Sequence, residues 1–166
     1  VVDLNADGLD EVARQIRAAG GQAVTIVADV SAEADIEKVV AGTVEAFAGV
    51  DIAFNNAGII RRTTVLETSV EMWDQVFAVN VRSIFLMCKH VVPIMAAAGG
   101  GSIINTGSGW GLKGGGRAVS YCASKGAVVN LDTSGAGAGQ SVLVGAGSDF
   151  SHVAVAAAAG LGTVGI

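Results

Sequence analysis

Apolar positions along the chain alternate between two patterns: short, nearly continuous runs, and longer stretches with apolar residues three or four apart. Val1-Val2-Asp3-Leu4 reads as the end of a buried strand. Residues 7–19 place Leu9, Val12, Ala13 and Ile16 on one helical face, closed by Gly20-Gly21. Gln22 to Val30 is a β-branched run that predicts a second buried strand. Ser31 suits a helix N-cap, with Glu33 and Asp35 complementing the dipole of the first turn. Ile36, Val39, Val40, Val44 and Phe47 give that helix its apolar stripe, and Val50 to Asn55 predicts a third strand ending in Asn56-Ala57-Gly58. Thr68-Ser69-Val70-Glu71 is a capping-box pattern before a long periodic stretch, from about Met72 to Pro93 and Ala98. Its length predicts a bend or break near Asn80. Ser102 to Asn105 reads as a fourth strand, residues 107–117 as a glycine-rich loop, and a helix carrying Tyr121 and Lys125 follows.

Strands alternating with helices, and apolar on both faces, predict an α/β fold with a doubly wound parallel sheet. Ligands of such sheets lie beyond the carboxyl ends of the strands. Asp3, Asp29, Asn55 and Ser108 all fall at those predicted ends.

Composition narrows the picture. The chain has 166 residues, enough for one sizeable core, and 51% are hydrophobic against 15% charged, far from a disordered composition. A net charge of −5 with no basic stripe argues against a nucleic-acid surface. No cationic leader pattern opens the chain, and no apolar run reaches about eighteen uncharged residues, so a non-membrane, cytoplasmic protein is expected. Cys88 and Cys122 form no metal or disulfide framework, and His90 and His152 read as single and unpaired, so no metal site is expected. Arg61 and Arg62 read as solvated loop residues.

The candidate chemistry centres on Tyr121 and Lys125. Four residues apart, they share one helix face. A free tyrosine ionises only near pH 10, and a neighbouring ammonium favours the phenolate. Ser108, thirteen residues upstream, could hold a substrate oxygen. Together these side chains can move a proton on or off a carbonyl or alcohol oxygen. Taken alone, a Tyr-x-x-x-Lys spacing more often marks an amphipathic helix with a snorkelling lysine.

Context reverses that preference. With Asp29-Val30, Asn55-Asn56-Ala57-Gly58, Asn80, Ser108 and Tyr121-x-x-x-Lys125 in this order, the chain resembles the classical short-chain dehydrogenase/reductase family over roughly residues 1–133. The resemblance implies an incomplete Rossmann-like domain, hydride transfer between an alcohol or ketone and a nicotinamide cofactor, and Tyr121 as general acid/base. It implies that Lys125 lowers the Tyr121 pKa and binds the nicotinamide ribose. Ser108 would orient the substrate carbonyl, and Asn80 would support a proton-relaying water. Asp3 would accept hydrogen bonds from the adenosine ribose, favouring NAD over NADP. Asp29 and Val30 would border the adenine, and Asn55, Ala57 and Gly58 would let the backbone approach the cofactor. Pairing through the long helix and the Tyr121 helix, giving a homo-oligomer, is also implied. The family's opening strand and glycine-rich pyrophosphate loop are not seen ahead of Val1, and its later proline-bearing strand end is not readable, Pro93 being the one proline.

Residues 134–166 form a tail of different composition, with eight Gly and eight Ala in 33 residues and Asp149 as its only charge. Three origins compete. Gly135 to Gly139 reads Gly-Ala-Gly-Ala-Gly, compatible with a slipped reading frame over an Ala-Leu helix. Alternatively the tail is a permuted start: Ser141 to Ser148 as the first strand and its glycine turn, Val153 to Ala159 as a helix, and Gly162 to Ile166 as a strand leading back towards Val1. The third reading is a weakly ordered apolar tail.

Overall fold

The computed structural model describes residues 1–131 together with the strands at 140–145 and 155–158. Its elements run β1 (Val2–Asp3), α1 (Ala6–Ala18), β2 (Ile26–Val27), α2 (Glu33–Phe47), β3 (Ile52–Asn55), α3 (Val70–Phe77), a π-turn (Ala78–Arg82), α4 (Ser83–Ala97), β4 (Gly101–Thr106), α5 (Gly109–Lys113), α6 (Val119–Val129), β5 (Gln140–Gly145) and β6 (Val155–Ala158). This is the alternating α/β order expected from the sequence, and the β1–β2, β3–β4 and β4–β5 pairs are all parallel.

The sheet is in two pieces. β1 and β2 form one, and β3, β4, β5 and β6 the other, with no ladder between β1 and β3. A cavity of about 550 Å³ lies there, walled by Val1 to Asp3, by Ile52 to Asn55, and by Ile36, Val40, Met87 and Val91 of the flanking helices.

The core gathers Ile36 and Val40 of α2, Ala53, Ile103, Val128 and five residues of α4 on one face of β3–β4. Ala53 and Ile103 are register partners. The alternate residues Ile52 and Phe54 therefore point to the opposite face, where they are 64% and 62% exposed. The expectation of a sheet apolar and covered on both faces thus holds for only one face of β3. The pattern shows that both faces are apolar, and coverage depends on what packs there. Phe47, expected on the α2 stripe, is likewise exposed at the helix end.

Local signals shift by a residue or two. α1 is capped by Asn5, whose Oδ1 accepts from the Gly8 N–H. Ser31 does not cap α2. Its N–H and hydroxyl both donate to Asp29 Oδ1, at 2.9 and 2.7 Å, and Ala32 takes the cap position without a side-chain bond. Ser69 rather than Thr68 caps α3, accepting from the Met72 N–H, while Thr68 donates back to the Thr64 carbonyl. The strand expected over residues 22–30 shrinks to Ile26–Val27, the register partners of Val2 and Asp3.

The break expected near Asn80 is the π-turn Ala78–Arg82, which joins α3 and α4 into one rod. By length and composition alone, Val70–Ala97 could cross a membrane. Here Val76, Ile84, Val91 and Met95 of the rod are buried in the core.

Two strands in the tail differ from the permuted reading. Gln140–Gly145 pairs with β4 instead of lying beside β1, and Val155–Ala158 is a strand antiparallel to β5 where a helix was expected. β4 offers an unpaired edge, and the apolar run Val142-Leu143-Val144 satisfies it. β5 then offers the next edge to the alanine run, overriding its helical propensity. Residues 162–166 and His152 lie outside the described residues.

Candidate functional site

Three short devices bring the candidate residues together beyond the ends of β3 and β4. The first is the π-turn. Its extra residue aims the wholly buried Asn80 side chain inward, where Oδ1 accepts from the Ile59 N–H at 2.8 Å. Asn80 Nδ2 donates to the Ile59 carbonyl and to Ser124 Oγ, each at 2.9 Å. Asn80 thus ties the loop after β3 to α6. Gly58 sits inside this knot: a Cβ there would lie 3.3 Å from Asn80 Oδ1 and 3.6 Å from Lys125 Nζ.

The second device is α6, which carries Tyr121 and Lys125. The Lys125 ammonium lies 5.9 Å from the Tyr121 ring centroid, so the two side chains do share a face. Lys125 is only 4% exposed and donates to the Thr106 carbonyl. Burial, with no carboxylate beside it among the described residues, lowers its pKa from the ordinary 10.5 to about 8.

The third device is the turn after β4. Ser108 caps α5, its Oγ accepting from the Trp110 N–H at 3.2 Å, and Ser108 is 5% exposed. Gly111 presses on α6 so closely that a Cβ would lie 2.5 Å from the Lys125 carbonyl carbon. Trp110 stands edge-on to Tyr121, with centroids 6.2 Å apart and planes at 81°. Asn80, Ser108, Tyr121 and Lys125 therefore form one connected group.

The remaining candidates line the strand ends. Asp3, Val30, Asn55 and Ala57 border the cavity between the two sheets. Asp3 is exposed, and one of its carboxylate oxygens accepts from the Asn5 N–H at 2.9 Å. Asp29 is tied through Oδ1 to Ser31, and its N–H donates to Asp35 Oδ2. Asn55 Nδ2 donates to Asn105 Oδ1 at 2.8 Å.

Sequence reasoning missed Asn105 and Ser124, and it placed Trp110 at the pocket's border after Ser108 without its contact to Tyr121. Asn105 and Ser124 are wholly buried polar residues on an apolar strand and helix, which was the available signal. Reading His90 as unpaired is corrected: it lies 3.2 Å from Glu33 and 4.0 Å from Glu37. The Lys89 ammonium already occupies Glu33 at 2.6 Å. Arg61 donates to Gln75, and Arg62 stacks over Trp110 at 5.4 Å.

The family model for short chain dehydrogenases matches residues 1–141. Over 124 residues the chain is 44% identical to a short-chain dehydrogenase/reductase of Hericium erinaceus, covering 74% of this chain and 49% of the relative. It is 42% identical over 126 residues to 2,5-dichloro-2,5-cyclohexadiene-1,4-diol dehydrogenase of Sphingobium indicum, covering 76% of this chain and 50% of the relative. Among solved structures, an NAD+-bound xylitol dehydrogenase superposes with a TM-score of 0.75 at 31% identity, covering 78% of this chain and 50% of that one. The chain thus spans about half the length of the curated relatives it matches. From its alternating fold, its clustered Asn-Ser-Tyr-Lys group and these likenesses, the chain belongs to the short-chain dehydrogenase family.

Proposed function

We propose that this chain is the dinucleotide-binding part, over residues 1–133, of an oxidoreductase that interconverts an alcohol and a ketone. The observation carrying this reading is the buried Lys125 ammonium under the Tyr121 ring, on a helix docked against the Ser108 turn. Tyr121 acts as general acid/base, taking the proton of a substrate hydroxyl in oxidation and returning it in reduction. The Ser108 hydroxyl accepts from Trp110 and keeps its own proton free to donate to the substrate oxygen. Lys125, its pKa near 8, can both hold positive charge beside the phenol and pass a proton on. Asn80 fixes the loop at Gly58 and Ile59, and relays protons through a water held near Lys125.

The strand-end residues fit a dinucleotide at its adenosine and nicotinamide-ribose ends. Asp3 offers its second carboxylate oxygen to the adenosine ribose hydroxyls, and its charge opposes a 2′-phosphate, favouring NAD over NADP. Asp29 and Val30 border the adenine. Asn55, Ala57 and Gly58 present backbone to the cofactor, and the Tyr121 hydroxyl and Lys125 meet the nicotinamide ribose. NAD, when bound, supplies the hydride acceptor. The NAD+-bound relative supports this choice. Cytoplasmic residence and self-association through the rod belong to the same reading, and exposed Val70 and Phe85 on the rod support the latter.

A second reading has one observation behind it. The open cavity between β1 and β3, with Ile52 and Phe54 exposed nearby, suits a non-enzymatic interaction module or a catalytically incompetent chain. Titrating NADH while following fluorescence of Trp73 and Trp110 separates the two. Saturable binding, with turnover lost in Tyr121→Phe, supports the enzyme. No binding at millimolar NADH overturns it.

A further inference from the structure

Trp110 occupies a position that neither the alternating strand pattern nor the Tyr-x-x-x-Lys spacing explains. It is half-buried at the start of a five-residue helix, where an indole is not needed to close a core. Four contacts converge on it. Its main-chain N–H donates to Ser108 Oγ at 3.2 Å. Its indole stands at 81° to the Tyr121 ring, 6.2 Å between centroids, an edge-to-face arrangement that fixes both rings in orientation. The Arg62 guanidinium lies over the indole at 5.4 Å. Gly115 closes the remaining side: a Cβ there would fall 2.4 Å from the indole Cδ2.

Ser108 and Tyr121 stand on different elements, and no direct bond between them holds their spacing. Trp110 touches both. We infer that Trp110 is a positioning residue for the reaction, its main chain orienting the Ser108 hydroxyl and its indole bracing the Tyr121 phenol, with Arg62 and Gly115 holding the indole in place. The inference rests on the proposed roles of Ser108 and Tyr121. The geometry distinguishes this from simple packing, because the indole's contacts are with a polar pair and a guanidinium, and Trp110 is not among the residues of the core cluster on α2, α4, α6 and the strands.

Tyr121 is the sole tyrosine of the chain, so ¹³C-labelled tyrosine gives a single set of ring signals, readable without substrate or cofactor. In the full chain those signals are expected away from the free-tyrosine position. Trp110→Ala removes the brace, and Gly115→Ala pushes the indole away while leaving its chemistry intact. Both are expected to return the ring signals towards the free position. With cyclohexanol and NAD as probes, both are expected to lower kcat about 10- to 100-fold, the usual cost of misplacing a reacting group by about 1 Å, at unchanged KM for NAD. Trp110→Phe retains an aromatic brace, is expected to keep most of kcat, and guards against loss of folding in Trp110→Ala. Ring signals unmoved in either alanine variant, or moved signals with unchanged kcat, overturn the inference. Turnover that survives Tyr121→Phe overturns the underlying reading instead.

Discussion

Lys125 shows how a single buried charge ties chemistry to stability. Its pKa, lowered by burial from 10.5 to about 8, means the folded chain binds the proton less tightly than the unfolded chain does. Between those values the unfolded state holds the extra proton, so wild-type stability rises with pH from about 8 to 10.5, and below pH 8 the full cost of the buried ammonium persists. Every tenfold loss of proton affinity on folding costs about 1.4 kcal/mol, and the bond to the Thr106 carbonyl returns part of it. Lys125→Met is therefore expected to stabilise the chain by about 2 kcal/mol at pH 7, with the advantage fading towards pH 10. Urea melts at the two pH values measure this, and an advantage that grows with pH contradicts it. The tyrosine and lysine were legible in the sequence because their spacing alone sets a shared helix face. The burial that lowers the lysine's pKa was not, because it comes from β4, the loop at Gly58 and α5.

At the scale of elements, the π-turn and the α5–α6 contact position the site. Asn80 satisfies the Ile59 N–H and carbonyl and donates to the Ser124 hydroxyl, which itself donates to the Tyr121 carbonyl. An alanine would leave the part-buried Ile59 N–H and carbonyl without these partners. Asn80→Ala is expected to cost about 3 kcal/mol, read as a drop in the urea midpoint, with faster hydrogen exchange at the Ile59 amide. Gly111→Ala sets a methyl 2.5 Å from the Lys125 backbone, which neither helix can relieve without moving apart. A loss of about 1–3 kcal/mol is expected in a thermal melt, and a neutral result would show that α5 is free to lift. The sequence announced a break near Asn80, since a periodic run of that length invites one. It did not announce a π-turn, because the extra residue is accepted only where the inward side chain finds partners on a neighbouring loop and helix. Caps moved by one residue for a similar reason. Ser31 and Thr68 each had a nearer partner, Asp29 and the Thr64 carbonyl, than the helix start.

Among the described residues, the strands are divided along the cavity between β1 and β3. No ladder crosses it there, so β1 and β2 share no sheet hydrogen bonds with β3 to β6. Amide hydrogens of Ile26 and Ala28, bonded only within that unit, are expected to exchange at least tenfold faster than those of β3 and β4, whose ladder carries four register pairs over the core. Equal protection in both sheets, measured by mass spectrometry, would contradict this. NADH is expected to narrow the difference, since Asp3 lies on one side of the cavity and Asn55 on the other.

By itself, the sequence determined the alternating α/β order, the parallel strand pairing and the break near Asn80, which follow from local spacing. The grouping of Asn80, Ser108, Tyr121 and Lys125 into one chemical group is what the family resemblance implies. Tertiary structure alone decided that the sheet is split, that Ile52 and Phe54 face outward, that Val155–Ala158 is a strand, and that Trp110 links Ser108 to Tyr121. The physical reason is common to them. Periodicity says which face of an element is apolar, whereas coverage of that face, the open edge that captures a strand and the contact between two loops depend on residues distant in the chain.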